Sequence, residues 1–304
     1  MSILICGSLA FDTICNFSGK FSQQILPEQV HILNVAFLVP KMRREFGGCA
    51  GNIAYTLKAL GGNPLILASL GHDGEGYLQR LRHLHIDTSF IHSVLDDFTA
   101  QAFIITDEEN NQITAFHPGA MNQAHRALFP PIPESIKLAI IAPDGRDAMQ
   151  LRAQQLSQCN IPFIFDPGQG LPMFNGSELI QFMQQATWVA VNDYEGRMLC
   201  DRTGMSLSRI SSLPQLQGLV VTLGAQGCDV WVRGKQIHVP GQSAQAIIDP
   251  TGCGDAFRAG MLHGLAKGWD LVRSVQLGNS LGAIKIAHQG GQNHTIPAEL
   301  QMLN

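Results

Sequence analysis

The sequence predicts an α/β protein: a three-layer α/β/α sandwich on a mostly parallel central sheet, with a small β lid. Short apolar runs recur at residues 3–6, 65–70, 138–141, 163–165, 188–191 and 219–223, each bounded by Gly, Pro, Asp or Asn. Runs without polar alternation suit central strands of a parallel sheet, because both faces of such strands are buried. Helical patterns separate the runs, for example at residues 50–60 and 147–156, and strands alternating with helices make βαβ units. After residue 254 the chain reads as two successive helices, 255–266 and 271–288.

Two segments break the rhythm. Residues 11–39 are too long for a βα loop. Residues 98–117 carry two β-rich arms around Glu109, Asn110 and Asn111, whose turn chemistry predicts a hairpin. Both leave the core after a strand, so they are expected to meet as a second small sheet. The reading is one domain over residues 1–304, with a lid built from insertions 13–45 and 98–117.

Composition narrows the function classes. The 304 residues include 20 Lys plus Arg against 24 Asp plus Glu, a net charge of −4. That mixed balance excludes a broad basic face for nucleic acid. At 45% hydrophobic and 14% charged, the chain has enough apolar surface to offset its ordering entropy. Length over roughly 150 gives a prior of two domains, although α/β folds of this size form one core as well. The seven cysteines are scattered without a CxxC pair, which fits reduced thiols in the cytosol. The N-terminal stretch lacks a basic region and reads as a buried strand rather than a signal peptide. No run of apolar residues is long enough to span a membrane. None of the 11 histidines forms a metal-type cluster, and His83 and His85 sit at a helix end.

Four glycine or carboxylate clusters carry the chemistry. In Asp249-Pro-Thr251-Gly252-Cys253-Gly254-Asp255, the glycines allow a tight turn in which the NH groups of 252–254 converge at a helix N-terminus, an anion hole. Asp255 just inside it suits a general base for a hydroxyl attacking phosphorus; as a plain first-turn acid it would only complement the helix dipole. Gly47-Gly48 with Asn52 opens another helix: bare backbone admits a ligand, and Asn52 can donate to and accept from a diol. The plainer alternative is a tight connection with Asn52 facing solvent. Asn192 and Glu195 share one helix face at a strand's carboxyl end, suiting hydrated Mg²⁺ beside phosphates, or simply an N-cap pair. Thr222, Gly224 and Gly227 make a fourth loop without GxGxxG spacing, and no GxxxxGK[ST] occurs, so dinucleotide and Walker loops are absent.

In this order the four clusters resemble the PfkB carbohydrate kinase family, the ribokinase-like fold, over essentially the whole chain. The resemblance implies Asp255 as base, Gly252, Cys253 and Gly254 as the anion hole, Gly47, Gly48 and Asn52 at the sugar, and Asn192 and Glu195 at magnesium and phosphate. Cys253 stands where Ala is usual, a small-for-small change. The segments CGSLAFDTI, ILPEQVHILNVAFLVPKMRREFGGCAGNIAY and NNQITAFHPGAM look most like bacterial nucleoside kinases of the adenosine type. By that resemblance Asp12, at the end of the first strand, grips the ribose hydroxyls; otherwise it is a turn residue. Gln112, Thr114 and Phe116 recur at period two and share a face. Gln112 stands near a position where related sugar kinases carry a phosphate-binding Arg, and Phe116 is either a platform for a base or a core ring. Asp166, after residues 163–165, points to the sheet edge where ligands bind.

The leading expectation is an ATP-dependent nucleoside kinase acting on the ribose 5′-hydroxyl, adenosine first, in purine salvage. Magnesium is implied, and a monovalent cation such as K⁺ is placed by the resemblance near Asp249 and Thr251. The partners expected are nucleoside and ATP, with no nucleic acid or membrane, in a cytoplasmic monomer or a homodimer formed through the lid. The alternatives are a free-sugar kinase of the same fold and a non-catalytic ligand-binding relative, against which the intact Asp255 loop speaks. A nicotinamide oxidoreductase lacks its glycine fingerprint.

Overall fold

The computed structural model describes residues 2–25, 34–109, 111–131 and 133–302. Residues 26–33 of the first predicted insertion, and Asn110 of the predicted turn, lie outside the described residues.

The apolar runs form the middle of a nine-stranded sheet. Its strands are β1 (Ser2–Cys6), β4 (Pro64–Gly71), β5 (Ile91–Val94), β8 (Ile136–Ile141), β9 (Phe163–Phe165), β10 (Trp188–Asn192), β11 (Gly218–Thr222), β12 (Gly227–Val232) and β13 (Lys235–Pro240). The order is β13-β12-β11-β10-β9-β8-β1-β4-β5, parallel from β11 to β5, with β12 and β13 antiparallel at one edge. The absence of alternation has its expected cause. In β1, Ile3 and Ile5 pack into one hydrophobic cluster, whereas Leu4 and Cys6 pack into another on the opposite face. The first cluster joins the sheet to α2 (Cys49–Ala59), α3 (Glu75–His83), α8 (Cys253–Ala266) and α9 (Leu271–Lys285). The second joins it to α4 (Arg146–Gln158), α5 (Gly176–Gln185) and α6 (Asp193–Thr203). Among the described residues there are also three single-turn α-helices, α1 (Phe21–Gln24), α7 (Leu207–Ile210) and α10 (Ala298–Gln301).

From β1 the chain moves to β4 and β5 on one side, then returns to β8 and continues to β11 on the other. The order therefore reverses between β1 and β8, and the crevice at the carboxyl ends of those strands is where an open α/β sheet binds ligands.

A second sheet stands apart, in the order β3-β2-β6-β7, from β2 (Ala10–Asn16), β3 (Lys41–Gly47), β6 (Ala100–Thr106) and β7 (Gln112–His117). The hairpin is β6 and β7, paired antiparallel from Gln101 and His117 to Thr106 and Gln112. β2 joins it in parallel register, Asp12 beside Ala102. Asp12 is accordingly not at the end of β1, as the sequence reading places it, but the third residue of β2. The chain needs only residues 7–9 to leave the large sheet for the small one, too short a link to read as a break. The last predicted helix ends at Lys285 rather than at His288, because the carbonyl of Ile286 turns to accept the NH groups of Ile248 and Asp249.

Candidate active site

A cavity of about 790 Å³ opens where the carboxyl ends of the parallel strands face the small sheet. Its floor comes from Ser8 after β1, Asp144 after β8, Asp166 after β9, Asn192 and Glu195 after β10, and Thr222 at the end of β11. Two helix N-termini close one side, α2 with Gly48, Cys49 and Asn52, and α8 with Thr251, Gly252, Gly254, Asp255 and Arg258. The small sheet supplies the roof through Ala10, Asp12, Ala102, Ile104, Thr114 and Phe116.

That roof follows from the pleat. Asp12, Ala102 and Phe116 are direct cross-strand neighbours, as are Ile14, Ile104 and Thr114, so alternate residues of three strands share the cavity face. Ala102 is small, which leaves the Phe116 ring uncovered; Phe116 is 48% exposed and is not a core ring. Gln112 lies on the same strand, opposite Thr106, and is not among the cavity-lining residues. Gly224 and Gly227, in the turn between β11 and β12, are likewise not among them, nor is Gly47. Gly47 acts one layer back: a Cβ there would lie 2.4 Å from Asp12 Oδ2, so only glycine admits that carboxylate.

At the start of α8 the Cys253 NH donates to the Pro250 carbonyl at 3.2 Å, closing the turn that leads into the helix. Gly252 caps the helix with φ 78°, in the left-handed region that glycine adopts without strain. Asp255 is on the first turn, and burial pushes its carboxyl up to about 6. A hydrogen bond from Asn52 opposes that rise, Asp166 adds to it, and Arg258 opposes it. Asn52 is itself buried and does not face solvent. Its Nδ2 donates to Asp255 Oδ2 at 2.8 Å, and its Oδ1 accepts from Gln292 Nε2 at 3.2 Å. Gln292 Nε2 also donates to the Tyr77 hydroxyl at 2.7 Å, which in turn donates to the Gly47 carbonyl at 2.7 Å. Arg80 Nη2 holds the Gln292 carbonyl at 2.6 Å. Burial also lifts the Asp12 carboxyl to about 6, with the charges of Asp249 and Glu45 adding to it.

Asp166 and Arg258 form a buried two-pronged pair, Nε to Oδ2 at 3.1 Å and Nη2 to Oδ1 at 3.0 Å. Arg258 Nη1 is buried without a hydrogen-bond partner. Asn192 and Glu195 form a full capping box: Asn192 Oδ1 accepts from the Glu195 NH, and Glu195 accepts from both the NH and Nδ2 of Asn192, each at 2.8 Å. The N-cap reading is thus realised, and both residues still border the cavity. Burial raises the Glu195 carboxyl, with the Asn192 NH opposing. Asp249 spends its carboxylate on the NH groups of Thr251 and Gly290, both at 2.9 Å.

Sequence reasoning missed Arg258, Asp144, Tyr77, Gln292 and Lys285. Asp144 was accessible to the rule that singled out Asp166, since both follow a parallel strand at the same sheet edge. Burial pushes its carboxyl up to about 7, with the Gly145 NH and the Arg152 guanidinium opposing. The other four depend on partners far away in the chain.

A family model for pfkB family carbohydrate kinases matches residues 23–299. The chain belongs to that family. It is a phosphotransferase with an alcohol group as acceptor. It is 30% identical over 265 residues to a nucleoside kinase of Methanocaldococcus jannaschii, covering 86% of this chain and 85% of that one. The structure of Burkholderia thailandensis nucleoside kinase in complex with inosine superposes with a TM-score of 0.87 at 45% identity, covering 99% of this chain and 95% of that chain. The same protein in complex with ADP-inosine gives a TM-score of 0.84 at 47% identity, covering 99% of this chain and 93% of that chain. Each superposition spans 99% of this pfkB family member, so its fold is that of those solved chains.

Proposed function

We propose that the protein is an ATP-dependent nucleoside kinase that transfers the γ-phosphate to the ribose 5′-hydroxyl of a ribonucleoside, purines before pyrimidines, with adenosine as first substrate and inosine, guanosine or the pyrimidine cytidine as further acceptors. The observation that carries this reading is the joining, in one cavity, of Asp255 beside an anion hole with a roof of Asp12, Phe116, Ala102 and Ile104. A free sugar needs only Asp255, the anion hole and the Asp12 carboxylate. The apolar and aromatic half suits a base, and a solved relative binds inosine.

The nucleoside lies with its ribose hydroxyls on the Asp12 carboxylate and its base against Phe116 and Thr114. Asp255 takes the proton of the 5′-hydroxyl as the oxygen attacks the γ-phosphorus. The new P–O bond forms as the bond to the bridging oxygen of ADP breaks, and the proton stays on Asp255 until solvent removes it. A base near 6 is ionised at neutral pH yet can hold that proton transiently. The NH groups of Gly252 and Gly254 receive the charge on the transferred phosphoryl oxygens, joined by that of Cys253 as it leaves the Pro250 carbonyl. ATP extends from there past Asn192 towards Thr222 and the turn of Gly224 and Gly227. Glu195 keeps a carboxylate at the cavity despite its capping bonds, which fits a hydrated Mg²⁺ held through water with Asn192. When bound, magnesium neutralises phosphate charge.

An ADP-release assay over adenosine, inosine, guanosine, cytidine, ribose and fructose tests the reading. Turnover with purine nucleosides and little with ribose or fructose is expected. Preference for a free sugar would overturn it in favour of the sugar-kinase alternative.

A further inference from the structure

The loop that leads into the anion hole is fastened to the end of α9. The NH groups of Ile248 and Asp249 donate to the Ile286 carbonyl at 2.8 and 3.1 Å, and the Gly290 NH donates to Asp249 Oδ2. Between these two strands of loop lies Lys285, a fully buried lysine. Its Nζ donates to the Asp249 carbonyl at 2.8 Å and to the His288 carbonyl at 3.0 Å. Among the described residues no carboxylate stands within ion-pair distance of it. A buried ammonium is expensive, and one facing backbone carbonyls is in the surroundings that suit a dehydrated monovalent ion, whose water is replaced by carbonyl oxygens.

The resemblance placed K⁺ near Asp249 and Thr251, and the residues present do not fit that ion. The Asp249 carbonyl is committed to Nζ, its carboxylate to Thr251 and Gly290, and the Lys285 charge would repel a second cation. We infer that the Lys285 ammonium is the resident cation of this loop, a built-in replacement for the monovalent ion that holds the Asp249–Thr251 turn and with it the anion hole, so that the enzyme works without potassium. Lys285 is then a positioning residue: it touches no reacting atom and acts through the Asp249 carbonyl, two residues before Thr251. Burial lowers its pKa, with the Asp249 carboxylate opposing.

The kinetic arm of the test rests on the kinase reading; the melting arm does not. Wild-type kcat and Tm are compared in potassium chloride and in choline chloride at equal ionic strength. The wild type is expected to change by less than about twofold in kcat, the scale of general salt effects. Saturable activation or stabilisation by K⁺ would overturn the inference. Lys285→Met in choline should lose kcat on the order of tenfold or more, as a buried polar site left without its partner does. Potassium but not choline should restore it, and should raise the variant's Tm by about 2–4 °C as a ligand of the native state. A folded Lys285→Met insensitive to K⁺ in both readouts would show that the site is not a cation site. If that variant does not fold, Lys285→Gln carries the same arm; if neither folds, the wild-type comparison decides alone. Absence of turnover with every acceptor in every salt would instead count against the nucleoside-kinase reading, leaving the melting arm to judge Lys285.

Discussion

Asn52 Nδ2 and Asp255 Oδ2 lie 2.8 Å apart although 203 residues separate them. The contact joins the first turns of α2 and α8, and its amide cannot turn over, because Gln292 donates to the other end. Asn52 opposes the rise that burial imposes on Asp255.

Removing that donor should therefore weaken the acid form's competitor. A hydrogen bond to a charged group contributes about 1.5–3 kcal/mol, or roughly one to two pKa units. Asn52→Ala is expected to move the acid limb of the kcat profile upward by about one unit or more. A limb that stays in place would mean the contact is structural only.

Asp255→Asn should preserve the fold and nucleoside binding while kcat falls on the order of 10²–10⁴, the range for a lost general base. Steady-state kinetics with a separate binding titration checks this. Turnover near wild type would remove Asp255 from the reaction.

How legible this was differs by element. The runs that became β1, β4 and β8–β11 were readable because both of their faces are buried, a condition that leaves its mark in consecutive residues. β13 left no such mark: it is exposed along most of its length at the sheet edge and carries Lys235, Gln236 and His238. Asp255, Gly252 and Asn192 could be found because the glycine and capping patterns around them span only a few residues. Arg258 could not, since a charge three residues past Asp255 reads as a solvent-facing helix residue until Asp166, 92 positions away, is folded against it. The same holds for Tyr77 and Gln292, 215 apart.

Asp12→Ala should act on affinity, raising KM for the nucleoside by the factor that about 1.5–3 kcal/mol represents. Its carboxyl, like that of Asp255, is pushed to about 6. In the free enzyme both must be ionised, so kcat/KM should fall more steeply below pH 6 than kcat, in which bound substrate has already fixed Asp12. In Asp12→Ala the two limbs should become parallel. An unchanged KM would reduce Asp12 to a residue of the sheet.

The Asp166–Arg258 pair makes a prediction about stability. Asp166→Ala strips the buried Arg258 guanidinium of its hydrogen-bonded ion-pair partner and leaves only the more distant charges of Glu195 and Asp255, and breaking a buried pair in this way costs about 3–5 kcal/mol. Adding Arg258→Met should recover much of that loss, because an apolar replacement removes the stranded charge. Denaturant unfolding of the single and double variants measures it. Additive losses would mean that the two residues do not depend on each other.

The small sheet should be the part that nucleoside changes most. β7 is exposed along its whole length, and β3 is exposed or half-buried at every residue but Gly47, so these strands have few buried contacts of their own. Elements of that kind open at low free energy, well below the global value set by α8 and α9. A nucleoside held by Asp12 on β2 and by Phe116 on β7 would connect the sheet to the core through the ligand, and would exclude water from the phosphoryl group as it transfers. Hydrogen exchange in peptides covering residues 10–16, 41–47 and 100–117 should slow markedly with nucleoside, and far more than in Cys253–Ala266. ATP alone should protect them less, because its contacts fall on the large sheet. Equal protection with and without nucleoside in all three segments would show that the small sheet is a fixed wall, and that closure is not how this enzyme guards its phosphate.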